Sequence, residues 1–259
     1  MQRVLFHSTV FGPIKSRRLG TSLGINLSPN DGKICSFDCL YCEAGFNAQG
    51  AGTTGFPSVD KVLSDLENKL REMTAEGTKP DVITFSGNGE PTLHPQFGEI
   101  IDGVIQLRDR LVPEAKIRVI CNSTTLGDTK VVEALKKIDN PILKLDSAIE
   151  DTMRRLDRPN SPSFTVDRVV ERLKDFGPKS IIQTMLVRGK ADGRPIDNTT
   201  VEETDALVKA ITIINPRMVM LYSIDRPTPD KTLRKVEREE LEKVAEKFRQ
   251  AGIKEVSVA

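Results

Sequence analysis

The sequence predicts an α/β protein whose strands run parallel in one sheet. Six short apolar runs alternate with longer stretches of helical period. Several runs are apolar at consecutive positions, as strands covered on both faces require. No internal repeat, low-complexity tract or linker interrupts the series, so a single domain over residues 1–259 is expected. Alternating βα units imply right-handed crossovers. Periodicity by itself leaves two architectures open, a doubly wound open sheet and a partial barrel.

The first run, Ser22–Leu27, follows an N-terminal extension over residues 1 to about 20. Val59, Val62, Leu63, Leu66, Leu70 and Met73 then recur at helical spacing and predict the first helix. The second run, Asp81–Ser86, leads to a helix marked by Phe97, Ile100, Ile101, Val104 and Leu111. Lys116–Asn122 is the third, followed by the stripe of Val131, Val132, Leu135 and Ile138. The fourth, Ile142–Ser147, precedes the stripe of Val166, Val169, Val170, Leu173 and Phe176. After the fifth, Ser180–Val187, the polar segment Arg188–Asn198 reads as a long loop of the functional kind. Thr200-Val-Glu-Glu203 is a capping box in which Glu203 reaches back to the cap. Arg217–Ile224 is the sixth run, and a C-terminal helix over about Glu239–Ala251 closes at Gly252.

Composition narrows the class. Lys and Arg number 38 against 37 Asp and Glu, a net charge of +1, so nucleic-acid binding through a broad basic face is disfavoured while a local patch remains open. With 38% apolar and 29% charged residues the chain has globular composition. No apolar run nears the ~20 residues a membrane span needs. The opening Met1-Gln2-Arg3-Val4-Leu5-Phe6-His7 is too short and polar for a signal peptide, and a cytoplasmic protein is expected.

Four cysteines are too few for a disulfide scaffold, but three fall in Cys35-Ser-Phe-Asp-Cys39-Leu-Tyr-Cys42. Thiolates are soft ligands suited to zinc or iron–sulfur clusters. Structural zinc takes four protein ligands. Here the histidines are His7 and His94, and Cys121 lies on another predicted strand. Three clustered ligands without an evident fourth suit an iron–sulfur cubane with one iron left open. A zinc site recruiting His94 or Cys121, and three buried thiols packing as small apolar residues, are the alternatives. The cluster falls in the loop after the first predicted strand, at the C-terminal strand ends where α/β proteins bind ligands. Gly87, Asn88, Gly89 and Glu90 end the second predicted strand. Glycines let backbone approach a ligand closely, and Glu90 can pair with an ammonium group.

The C-x3-C-x-aromatic-C spacing, with Tyr41 before the third cysteine, resembles the signature of the radical S-adenosylmethionine (radical SAM) superfamily, and Gly87-Asn88-Gly89-Glu90-Pro91 resembles its GGE-type motif. The resemblance spans nearly the whole chain and implies a partial (β/α)6 barrel of parallel strands. It implies that Cys35, Cys39 and Cys42 hold a [4Fe–4S] cluster whose open iron is chelated by the amine and carboxylate of S-adenosylmethionine. Tyr41, Gly87, Asn88, Gly89 and Glu90 belong to the implied cofactor site. Asn122, Ser123, Asp146 and Ser147 are expected at its ribose hydroxyls, and Gln183 in the barrel interior. The implied reaction is reductive cleavage to a 5′-deoxyadenosyl radical that takes hydrogen from a substrate. A low-potential donor of flavodoxin or ferredoxin type supplies the electron.

Gly12–Gly24 and Tyr222-Ser223-Ile224-Asp225-Arg226-Pro227 resemble features of the wyosine-synthesis-like group, which modifies a tRNA guanosine. That group holds a second cluster on three further cysteines, whereas Cys121 alone is left here, so no second cluster is expected. A polar substrate, small molecule or RNA, is the leading reading. A radical-installing activase of a partner protein and a non-enzymatic zinc or redox module are the others. The run Lys15-Ser16-Arg17-Arg18 suits phosphate or carboxylate, or a solvated turn. Arg154, Arg155, Arg158, Asp225 and Arg226 suit an anionic substrate or an internal salt-bridge network.

Overall fold

The structure, a computed structural model, describes residues 3–16 and 20–258. Its main sheet runs in the order β1 (Val10–Ser16), β2 (Gly20–Ile25), β3 (Val82–Phe85), β4 (Lys116–Cys121), β5 (Asn140–Lys144), β6 (Ile181–Met185), β9 (Met218–Tyr222) and β11 (Val256–Val258). Every pair from β2 to β11 is parallel, and β1 is antiparallel to β2. This order decides between the two architectures. A doubly wound sheet reverses its strand order, whereas right-handed crossovers that always step the same way put every helix on one face. The six expected strands follow one another without reversal, and β1 and β11 do not pair among the described residues. The fold is the partial barrel.

Side chains alternate across each strand. Leu23, Ile25, Ile83, Phe85, Ile117, Val119, Leu143, Ile182, Val219 and Leu221 face outward into the main core. There they meet α1 (Val59–Ala75), α2 (Phe97–Leu111), α3 (Thr129–Lys137), α5 (Val166–Lys174), α6 (Val201–Ile214) and α7 (Arg238–Gln250). The α1 stripe of Val62, Leu66, Leu70 and Met73 is buried as its spacing predicts, worth roughly 1.5–3 kcal/mol per side chain. The inner face carries a smaller apolar set of Ile142, Ile181 and Met220, flanked by Ile120 and Met218.

The structure departs from expectation at four places. The N-terminal extension supplies β1. The edge strand β11 follows α7. The expected loop Arg188–Asn198 is instead an antiparallel hairpin, β7 (Val187–Ala191) and β8 (Arg194–Asp197), joined to β10 (Arg234–Lys235) in a second sheet. Its signal was Asp192-Gly193, both at positive φ (51° and 77°), the dipeptide that favours a two-residue hairpin turn. Finally, α4 (Glu150–Asp157) went unpredicted because eight residues with only Met153 and Leu156 as buried apolar side chains show too little periodicity. Of the basic run, Arg17 and Arg18 and the side chains of Lys15 and Ser16 lie outside the described residues.

The capping box forms by half. Thr200 accepts the Glu203 N–H at 3.3 Å, but the buried Glu203 carboxylate turns inward to accept from Ser147 Oγ at 2.7 Å. Burial raises its pKa above the usual carboxylate range. A raised folded-state pKa means the native protein binds more protons, so this group favours folding most below its unfolded pKa and progressively less as pH rises through the folded value. Glu203→Gln is therefore expected to stabilise the protein at pH 7 by up to about 1 kcal/mol, with the gain vanishing below about pH 4. Urea unfolding at the two pH values checks this.

Candidate cofactor site at the strand ends

The segment between β2 and α1 carries the three cysteines, and hydrogen bonds to two other parts of the fold hold it. Ile34 N–H donates to Asn88 O at 3.1 Å and Glu90 N–H donates to Ile34 O at 3.0 Å, a short parallel bridge to the strand end after β3. On the other side, Asp38 N–H donates to Asp157 O at 3.0 Å and Leu40 N–H to Leu156 O at 3.0 Å. These are carbonyls that the end of α4 leaves without helical partners. The unpredicted helix is thus one of the two clamps on the cysteine loop.

The glycines of the second motif act between protein segments. At Gly89 (φ 143°) a Cβ would stand 1.8 Å from Ile34 O, and at Gly87 (φ 153°) 2.3 Å from Asn26 Oδ1. Their missing side chains let the cysteine loop and the chain after β2 lie against the strand end. Gly89→Ala combines backbone strain with a backbone clash and is expected to cost on the order of 3–5 kcal/mol in urea unfolding. Gly98→Ala in α2, where a Cβ meets open space, should instead stabilise by about 0.5–1 kcal/mol. Asn88 is wholly buried and pins the N-terminal segment: its Oδ1 accepts from Phe6 N–H at 2.8 Å, and its Nδ2 donates to Phe6 O and Pro29 O.

Cys35, Cys39 and Cys42 are free thiols, Cys39 buried and the other two half-buried. Burial pushes the Cys35 thiol up to about 11 and raises Cys39 well above the ordinary thiol range. The Lys33 side chain, 1% exposed, donates to Gly45 O at 2.8 Å and pairs with Asp38 at 3.4 Å. Burial works against its charge, but Cys42, Cys35, Cys39 and Asp38 together raise its pKa. A positive charge is therefore built in beside three soft donors, which suits thiolate ligation. Among the described residues no three His, Cys, Asp or Glu side chains converge on one ion. A cubane is held by one thiolate per iron and needs no such convergence, so the donor set fits the cluster better than it fits zinc.

Glu90 is 3% exposed and lies next to this loop. Its Oε1 accepts from Thr92 N–H (3.1 Å) and Oγ (2.6 Å), and its Oε2 accepts from Asn122 N–H at 2.6 Å. Oε2 keeps a lone pair for a cation. Burial raises the carboxyl's pKa despite these bonds. The Asn122 amide donates to Ser36 Oγ at 2.9 Å and reaches Cys35 Sγ at 3.6 Å. Ser123 (φ 70°) is wholly buried and donates to Lys144 O, while Ser147 is held by Glu203, so both hydroxyls are engaged within the protein. Cys121 packs in the core, as its place on an apolar strand predicts.

Sequence reasoning missed the charged network on the other side of the cysteines. Lys144 donates to Tyr41 Oη and pairs with Asp146 at 3.4 Å. Tyr41 Oη donates to Asp146 and stands 3.2 Å from Asp157 Oδ1. Cys39 Sγ lies 3.6 Å from the same Asp157 oxygen. Burial and the nearby Asp146 raise the pKa of Asp157 well above the ordinary carboxylate range. Burial opposes the charge of Lys144, yet Asp146 raises its pKa and keeps the ammonium. Gln183 sits beside Lys144 in register and is half-buried. The arginines expected either at substrate or in ion pairs take the second course: Arg154 pairs with Glu150, Arg155 with Asp151, Arg158 with Asp192 and Arg226 with Glu43.

A family model of the radical SAM superfamily matches residues 30–198. A UPF0026 protein of Helicobacter pylori (strain J99) is 32% identical over 223 residues, 85% of this chain and 67% of that one. A Brachyspira hyodysenteriae protein named GTPase Obg is 30% identical over 92% of this chain, which spans 33% of it. Among solved structures, a radical SAM methyltransferase from Sphaerobacter thermophilus aligns with a TM-score of 0.67 at 13% identity, covering 92% of this chain and 66% of that one. TYW1 with a lysine-pyruvate adduct bound aligns at 0.61 and 16% identity, covering 88% and 73%.

Proposed function

Because the chain belongs to the radical SAM superfamily, we propose that it is an enzyme that binds a [4Fe–4S] cluster through Cys35, Cys39 and Cys42, binds S-adenosylmethionine beside it, and acts on a polar substrate. When bound, these groups supply one-electron reductive cleavage and a 5′-deoxyadenosyl species that abstracts hydrogen. The observation that carries this reading is the bridge Ile34–Gly89, which holds the loop of three free thiols against the strand end that bears Glu90, with Cys35 beside the carboxylate.

The chain's own residues have separable tasks. Lys33 offsets thiolate charge. Glu90 offers Oε2 to the amine of S-adenosylmethionine, and Asn122 steadies the loop through Ser36. Lys144, Asp146 and Tyr41 make a buried, preorganised polar network beside Cys39, with Gln183 next to Lys144. A flavodoxin- or ferredoxin-type protein delivers the electron. No described helix is long and apolar enough to cross a membrane.

The test uses anaerobically purified, reconstituted protein with dithionite and S-adenosylmethionine, reading iron, sulfide and 5′-deoxyadenosine together. About four irons per chain with deoxyadenosine formation supports the reading, and zinc without deoxyadenosine overturns it. Glu90→Gln should leave iron content unchanged and raise KM for S-adenosylmethionine roughly 10- to 100-fold, the loss of one charged hydrogen bond.

A further inference from the structure

The opposite end of the barrel holds a second polar site. Where β4, β5, β6 and β9 begin, a cavity of about 380 Å³ is lined by Arg118, Arg217, Asn140, Ser257 and Glu255, with Ile181 among its apolar lining. Arg118 is the third residue of β4 and lies four residues before Asn122, which follows that strand, about 13 Å away at strand rise, so the cavity is remote from the thiols. Its guanidinium is half-buried, and Nε is shut off from solvent without a hydrogen-bond partner.

Several half-buried arginines of this chain have carboxylates: Arg108 has Asp109 and Asp139, Arg155 has Asp151, and Arg188 has Asp197 and Glu240, so the unpartnered Nε that Arg155 and Arg188 share with Arg118 stands there beside an ion pair. Among the described residues neither Arg118 nor Arg217 has a carboxylate within ion-pair distance. Arg217 donates to Asn140 Oδ1 at 2.5 Å. Burial and the like charge of Arg217 both lower the pKa of Arg118. Two guanidiniums facing one cavity, one half-buried with its Nε unpartnered and no carboxylate beside it, form an arrangement that an anion relieves. Glu255 lines the same cavity, which leaves one net positive charge and selects for a ligand able to engage both forks together.

We propose that this mouth binds the phosphoryl group of a small phosphorylated ligand between Arg118 and Arg217, with Asn140 and Ser257 completing the set of polar contacts. A phosphoryl group presents three terminal oxygens to two forks, whereas a carboxylate is satisfied by one. The site lies apart from the cysteine end and regulates or anchors rather than reacts.

Calorimetric titration of the full chain with inorganic phosphate, and with malonate at matched ionic strength, tests this. Phosphate is expected to bind in the millimolar range or tighter, and Arg118→Gln and Arg217→Gln each to weaken it by about 10-fold or more. The thermal midpoint of Arg118→Gln should be unchanged or higher, because a half-buried charge without a carboxylate partner is removed. No phosphate binding up to about 20 mM, wild-type affinity in both variants, or tighter binding of malonate overturns the proposal. Should Arg118→Gln fail to fold, the exposed Arg217→Gln carries the comparison.

Discussion

Cys39→Ala is expected to abolish deoxyadenosine formation, by at least about 10³-fold, while leaving the chain folded. Cys39 is the most enclosed of the three thiols and sits against the end of α4, 3.6 Å from the Asp157 carboxyl. Removing its sulfur takes away one of three protein ligands, and a cluster held by two is readily lost. Iron should fall from about four per chain to well below one. The protein survives because the loop is held by backbone bonds from Ile34, Asp38, Leu40 and Glu90, none of which uses the thiol. Circular dichroism and thermal unfolding of the variant separate cofactor loss from misfolding. Full iron content with full activity in Cys39→Ala would sink the cluster assignment.

Lys144→Met is expected to cost about 3–5 kcal/mol of stability, among the largest effects of any single change to a charged residue here. The ammonium is nearly enclosed, with its side chain 12% exposed, while Asp146 is 0% exposed. Removing the lysine strands the Asp146 carboxylate. It would then keep the Tyr41 hydroxyl, the Met185 N–H, which donates to Oδ1 at 2.9 Å, and its hydrogen bond with the Asp157 carboxyl, but no positive charge. An unpaired buried charge is expensive where a neutral, hydrogen-bonded group is not. The double variant Lys144→Met, Asp146→Asn should therefore regain much of the loss, because asparagine still accepts from Met185. A double-mutant cycle by urea unfolding measures the coupling. A loss under about 1 kcal/mol for Lys144→Met would show that the network is hydrated instead of sealed.

Much of the site was legible because its chemistry is local in sequence. Three thiols within eight residues, and two glycines flanking Asn88 before Glu90, stand close enough along the chain for spacing to single them out. The apolar runs were equally plain, since a strand buried on both faces has no polar positions to spare. The partners Lys144 and Asp157 were not legible. Each sits more than a hundred residues from Tyr41, and neither lies in a cluster of its own type. No pattern in the sequence marks Lys33. Only the closed loop shows its stem buried and its charge turned toward the thiols. Glu203 belonged by pattern to a helix cap, yet the approach of Ser147 from another element gave its carboxylate a different partner.

The sequence by itself determined the βα alternation, the helix stripes and the soft-ligand cluster, because each depends on residues a few positions apart. The tertiary structure decided the rest: the strand order that makes a partial barrel, the α4 carbonyls that clamp the cysteine loop, the part glycines play between two backbones, and the pairing of buried charges. These depend on which distant segments meet. A buried polar group takes whatever partner the fold brings within hydrogen-bond reach, and local spacing carries no record of that choice.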